Sequence, residues 1–133
     1  MTDHLPTFDR VIPLIVYRDI EAAHQFLVEV FGVRPGLLHR DGEETVVHGE
    51  VDLGGTAIWM HRVTPEFDLT SPEGLPGASG GLVVFVDDVD AHYEHACARG
   101  ACIEGAPRDQ PYGQREYGAL DSEGHRWWFA TPT

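Results

Sequence analysis

Tyr112-Gly113-Gln114-Arg115-Glu116-Tyr117-Gly118-Ala119-Leu120-Asp121-Ser122-Glu123-Gly124-His125-Arg126-Trp127-Trp128-Phe129-Ala130 reads as a strand, a tight turn and a second strand. Asp121 and Gly124 bracket the turn, because Asp bonds its own backbone two residues on and Gly accepts a positive φ. His125–Ala130 is an aromatic-rich run of the kind strands favour. The same pattern stands 69 positions earlier, where Gly55 and Trp59 match Gly124 and Trp128. Asp19 and Asp88 share that offset, each closing an apolar run and opening a helical segment, and Ile20 matches Val89. Gly32 misses Gly100 by one residue, which a one-residue difference in helix length absorbs. The order of elements therefore repeats, and the chain reads as two copies of one βαβββ module.

Outward from that repeat, Arg10–Tyr17 is the expected first strand. Asp19 caps a helix with Ile20, Ala23, Phe26, Leu27, Val30 and Phe31 on its apolar stripe, and Gly32 ends it. Pro35–Arg40, Thr45–Leu53 and Thr56–Val63 are strands joined by turns at Asp41-Gly42 and Gly54-Gly55. Thr64–Ser79, rich in Pro and Gly, reads as a linker between modules or a lid. In the second module Gly81–Val86 is a buried strand. Asp88 caps a helix that turns Val89, Tyr93, Ala96 and Cys97 inward and stops at Gly100. Ala101–Gly105 is a strand, and Pro107–Pro111 a loop. The expected architecture is α+β, with two tandem modules forming a curved mixed sheet around a central cavity. One domain covers 1–133, with module one about 10–63, the linker 64–79 and module two about 80–131.

At 133 residues the chain can bury a substantial core, and its net charge is −13. That acidity argues against a nucleic-acid partner, whose footprint is a basic patch. No apolar run approaches a membrane span, and Met1–Arg10, with Asp3, His4, Pro6 and Asp9, lacks the apolar segment of a signal peptide. Cys97 and Cys102 are too few for a disulfide framework. A cytoplasmic location with reduced thiols is expected, with Cys97 in the core.

The paired modules resemble the vicinal oxygen chelate superfamily, which includes glyoxalase I, extradiol dioxygenases and bleomycin-resistance proteins. The resemblance runs from about Arg10 to Thr131. Its most specific piece is Tyr112-Gly113-Gln114-Arg115-Glu116-Tyr117 with Asp121-Ser122-Glu123-Gly124-His125, similar to a segment of the bleomycin-resistance branch. Ser122 stands where that branch usually has Pro. The resemblance implies a homodimer and, in metal-dependent members, a divalent ion held by one side chain from the first and last strand of each module. Aligned on the Asp caps and turn glycines, those positions are Ile12, Trp59, Gly81 and Trp128, none of which offers a donor atom. No metal or cofactor is expected at the inherited site.

Strand alternation puts Ala57, Trp59 and His61 on one face and Arg126, Trp128 and Ala130 on one face, with Trp127 and Phe129 turned to the core. The expectation is that Trp59 and Trp128 oppose each other across a pocket, within one subunit or at an interface. Each ring then stacks on a planar or cationic ligand, worth on the order of 0.5–2 kcal/mol beyond burial. His48, His61, Phe85, Tyr117 and Arg115 complete the candidate ligand-binding set, while Arg115 and Glu116 equally fit a cross-strand or intersubunit ion pair. His92 and His95 fit a solvated helix face, and Asp87, Asp88 and Asp90 a helix cap. The leading expectation is a metal-free binding protein that sequesters a small molecule such as an antibiotic or metabolite. The alternatives are a lyase, isomerase or dioxygenase drawing on His48, Glu50, His61 or Glu116, and a dimeric interaction protein without a ligand.

Overall fold

The computed structural model describes residues 5–133; Asp3 and His4, part of the polar opening stretch, lie outside the described residues. The chain is α+β, built from two tandem βαβββ units, the strand after the helix being split into two short pieces in the second. The first comprises β1 (Leu14–Tyr17), α1 (Ile20–Phe31), β2 (Arg34–Arg40), β3 (Val46–Leu53) and β4 (Thr56–Arg62). The second comprises β5 (Gly81–Phe85), α2 (Val89–Ala98), β6 (Cys102–Ile103), β7 (Arg108–Gln110), β8 (Gln114–Leu120) and β9 (Arg126–Pro132). Sheet one runs β1-β4-β3-β2; sheet two runs β5-β9-β8-β6, with β7 also paired to β8. Both are mixed, since β1 lies parallel to β4 and β5 parallel to β9 while the other pairs are antiparallel.

The 69-residue offset reappears as hydrogen-bond register. Leu14 pairs with Trp59 and Val83 with Trp128, so the two tryptophans occupy equivalent places in equivalent sheets. The helix caps repeat as well. Asp19 accepts the Ala22 N–H and Asp88 the Ala91 N–H, both at 3.0 Å, each cap contributing about 1 kcal/mol. Gly32 ends α1 in the left-handed region at φ 70°, where a Cβ would be strained.

One core serves both units. Ile20, Leu27 and Phe31 of α1 pack with Val51, Ile58 and Met60 beneath them, and the same cluster includes Val89, Ala96, Tyr117, Trp127 and Phe129. Phe31 touches the rings of both Trp127 and Phe129, at centroid distances of 5.5 and 4.9 Å. Trp127 is 0 % exposed, as its inward register requires.

The β8–β9 turn does more than reverse the chain. Asp121 Oδ1 accepts the Glu123 and His125 N–H groups, while Oδ2 accepts Tyr17 O–H at 2.6 Å and Trp127 Nε1–H at 3.1 Å. Burial, and then the Asp121 carboxylate, push the Tyr17 hydroxyl well above the usual tyrosine range. Glu123 accepts the Arg18 and Asp19 N–H groups at 2.7 and 2.9 Å, just before α1, together with the Ser71 hydroxyl at 2.6 Å. A carboxylate there meets donors that the helix leaves unpaired. The turn thus clamps unit two to the start of α1 and ties down the 64–79 segment, which also holds a short helical turn at Pro65–Phe67.

Several expectations are corrected. Cys97 is exposed, because α2 packs through Val89, His92 and Ala96, and residue 97 lies about 100° further round the helix. His92 is not on a solvated face: its Nε2–H donates to Phe31 O at 2.8 Å and its Nδ1 accepts the Tyr117 O–H at 2.6 Å. His95 likewise reaches across to Glu29 O at 3.0 Å. Within Pro107–Pro111, Arg108–Gln110 pairs with β8 rather than looping. Regular strand begins at Leu14 rather than Arg10, since Pro13 has no N–H for a ladder; Ala101–Gly105 shrinks to Cys102–Ile103.

Candidate functional site

Pleating sorts the candidate residues into three groups. On β4, Ile58 and Met60 enter the core, leaving Ala57, Trp59 and His61 on the open face of sheet one; on β3, Val51 is buried and His48 and Glu50 share that open face. On β9, Trp127 and Phe129 enter the core and Trp128 faces outward beside Val83 and Phe85 of β5, which are 54 % and 56 % exposed. The Tyr117 and Arg115 side chains leave these faces, although Tyr117 still borders the cavity beside Trp128. Both occupy the other pleat of β8: the Tyr117 ring stacks on Phe129 in the core, and Arg115 pairs with Asp90 at 3.1 Å and Asp109 at 3.3 Å. The same alternation places Glu116 and Gly118 on the outer face.

On the first face Trp59 is 37 % exposed and stands edge-on to His48, with centroids 5.6 Å apart and planes at 81°. His48 Nε2 meets Glu50 Oε2 at 2.8 Å, and Glu50 is the cross-strand neighbour of Trp59. His61 Nε2 bonds the Thr64 hydroxyl at 3.1 Å. On the second face Trp128 lines a cavity of about 520 Å³ with Glu104, Arg108, Gln110, Glu116 and Gly118. Glu104 is paired with Arg126, and the Tyr112 hydroxyl donates to Glu116.

Two larger cavities lie at the seam between the units. One, of about 800 Å³, is bounded by Phe31, Ile58, Phe85, His92 and Phe129. The other, of about 630 Å³, lies between β1, the start of β5 and the 64–79 segment. Neither these nor the Trp128 cavity brings Trp59 and Trp128 together in one chain. Each ring sits on the face of its sheet turned away from the shared core.

The superfamily's metal position can be tested by its donors. With Leu14 beside Trp59 and Val83 beside Trp128, and Ile12 and Gly81 one pleat further along, the inherited positions supply no imidazole, carboxylate or thiolate. The residues do not fit the ion. Among the described residues no group of three or more His, Cys, Asp or Glu is placed to hold one.

Sequence reasoning missed Glu123 and Ser71, whose roles depend on contacts across the whole chain. It also missed Gly118 and Gly81 as neighbours of Trp128. Strand-pair register would have found those glycines, but it is not written in either strand alone.

A repeated βαβββ unit carrying a large ring at the same point of each open sheet face defines a paired-module fold with aromatic-bearing surfaces. The chain belongs to the Glyoxalase/Bleomycin resistance protein/Dioxygenase superfamily, whose family model matches residues 7–129. It is similar to TioX from Micromonospora sp. ML1, at 31 % identity over 94 % of this chain and 97 % of that one, with a TM-score of 0.71. It shares the fold of TnmS3, an antibiotic binding protein from Streptomyces sp. CB03234. There the TM-score is 0.75 and the identity 23 %, over 98 % of this chain and 100 % of the other. An uncharacterized protein of Mycobacterium bovis is 28 % identical over 90 % of this chain and 81 % of its own length. Among the described residues no helix is long and apolar enough to cross a membrane.

Proposed function

We propose that this chain is a metal-free small-molecule-binding protein of the bleomycin-resistance-like branch that sequesters a planar or cationic aromatic antibiotic or metabolite between two sheet faces. The observation that carries the reading is the equivalent register of Trp59 and Trp128 on the open faces, at positions where donor atoms would be needed for metal chemistry. A fold shared with an antibiotic binding protein supports it. None of these three cavities joins the two rings in one chain, so the reading places them opposite each other across a homodimer, with sheet one of one subunit facing sheet two of its partner. The exposed apolar side chains Leu14, Val83 and Phe85 on those faces support a covered rather than a free surface. Two free cysteines support a reducing, cytoplasmic setting.

Saturable quenching of tryptophan emission by aromatic compounds, lost in Trp59→Ala and in Trp128→Ala, tests this reading. Intact dimers that bind none of a broad aromatic set would leave the interaction-protein reading instead.

One observation favours a second reading. The His48–Glu50 pair, 2.8 Å apart beside Trp59, has the geometry of an imidazole oriented by a carboxylate, the arrangement of a general base. In that reading the same pocket belongs to a lyase or isomerase with a rearranged site. Turnover of a bound compound that disappears in His48→Gln while its affinity is retained would select it.

A further inference from the structure

We infer that Gly81 and Gly118 are positioning residues that lay the Trp128 indole flat on sheet two, making this face a floor for fused-ring planar aromatics rather than for single rings. The inference rests on the binding reading above and narrows the ligand class.

The space at the two glycines is already taken by Trp128. A Cβ on Gly81 would lie 2.6 Å from Trp128 Cζ3, and also 2.7 Å from Arg126 O. A Cβ on Gly118 would lie 3.3 Å from Trp128 Nε1, 3.4 Å from Cδ1 and 3.2 Å from Glu104 Oε1. Gly118 sits directly across from Trp128 on β8; Gly81 lies on β5, one pleat from Val83, the partner of Trp128 on that side. The pyrrole edge of the indole thus overhangs one neighbouring strand and its benzo edge the other. The ring spans three strands and lies down on them. Neither glycine is among those with positive φ, so no turn or left-handed backbone requires glycine at either place. At Gly81 the ring and the Arg126 carbonyl both exclude a Cβ, and at Gly118 the ring shares the space with the Glu104 carboxylate. Glycine in a strand interior otherwise weakens the strand, and it commonly marks such a close approach.

The first unit lacks this floor. The residue across from Trp59 is Glu50, and the position matching Gly81 is Ile12. Trp59 meets His48 edge-on instead. The pseudo-equivalent rings are therefore a floor and a wall. A flat indole offers its full face, and a ligand plane of two or three fused rings covers it where a single ring leaves part of it wet. Around that face Glu104 is paired with Arg126, while the Glu116 carboxylate accepts from Tyr112 and Gln114.

Proflavine, a three-ring planar cation, and benzylammonium, a one-ring cation, carry the same charge, so the attraction of the acidic protein cancels in their ratio. Calorimetry on the wild-type dimer should show proflavine binding at least about tenfold more tightly, the factor that about 1.4 kcal/mol of extra stacking gives. Gly118→Val should abolish most of that preference, and Gly118→Ala should do so partially. NMR of the ligand-free protein gives a second readout: the Gly118 and Gly81 Hα signals should be shifted upfield by the ring above them and return in Trp128→Ala. If Gly118→Val does not fold, by circular dichroism, Gly118→Ala and the Hα shifts decide. A preference retained in folded Gly118 variants, equal binding of both probes, or unshifted Hα signals overturns the inference and leaves the binding reading standing. Failure of both probes to bind removes the two together.

Discussion

Adjacent tryptophans in β9 have opposite fates, and one pleat separates them. Trp127 is fully buried against Phe31 and Phe129 with its Nε1–H satisfied by Asp121, whereas Trp128 faces outward. Trp127→Ala should therefore cost about 3–5 kcal/mol of stability, since it leaves a cavity and an unpaired Asp121 lone pair. Trp59→Ala and Trp128→Ala should each cost less than about 2 kcal/mol. Urea unfolding of the three variants checks this order, and a reversed order would mean that the strand register is off by one. His92 gives a second residue-scale test. Burial holds its imidazole below the ordinary value, with the hydrogen bond to Phe31 O only partly opposing that and nearby His95 adding to it. A histidine with a lowered folded value binds its proton more readily when unfolded, so the unfolded state takes up more protons as pH falls. Stability should fall as pH drops below about 6.5, the unfolded value, and level off below the folded one. His92→Gln, which keeps a donor and an acceptor but does not titrate, should flatten that part of the pH–stability curve.

At the scale of elements, what could be read from the sequence was what is local. Asp19 and Asp88 announce their helices because a cap is a contact over three residues, and the Asp121–Gly124 turn is visible because its hydrogen bonds close within four. The repeat matched strands between the two units but did not give the residue pairing across β1–β4 and β5–β9. Helix α2 was misjudged at Cys97 because a ten-residue helix with few large apolar residues has a weak periodic signal. Its orientation is fixed instead by His92 bridging Phe31 O and the Tyr117 hydroxyl, neither adjacent in sequence. Strand β7 escaped notice because Arg108–Gln110 carries no apolar alternation and exists by virtue of β8 beside it. The clamp at Glu123 is of the same non-local kind. Its carboxylate takes two backbone N–H groups and one hydroxyl, and an amide oxygen is a weaker acceptor without the charge. Glu123→Gln should lower stability by about 1–3 kcal/mol in thermal or denaturant melts. It should also raise proteolysis within the 64–79 segment that Ser71 anchors.

Across the whole molecule, one core joins both units while the two aromatic faces look away from it. The candidate site was legible to the extent that it depends on alternation: Trp59, His61 and His48 share one face, Phe85 and Trp128 the other. What covers those faces was not legible, because strand alternation tells which way a side chain points and nothing of what it meets. The account requires the second copy. Light scattering should find a dimer at tens of micromolar, and a monomer that still binds with both tryptophans engaged would force the site back into one chain.

Mixing the two tryptophan variants tests the central claim most directly. Each homodimer, Trp59→Ala or Trp128→Ala, should bind an aromatic probe such as proflavine about 1–3 kcal/mol more weakly than the wild type, the range for losing a stacked ring. In the mixed dimer, Trp59 from one chain meets Trp128 from the other at one interface, and the opposite interface lacks both. Calorimetry on mixed dimers isolated by differential tags should then show half of the sites restored to wild-type affinity. No restored class of sites, with every site in the mixed dimer as weak as in the parent variants, would contradict a pocket shared between subunits.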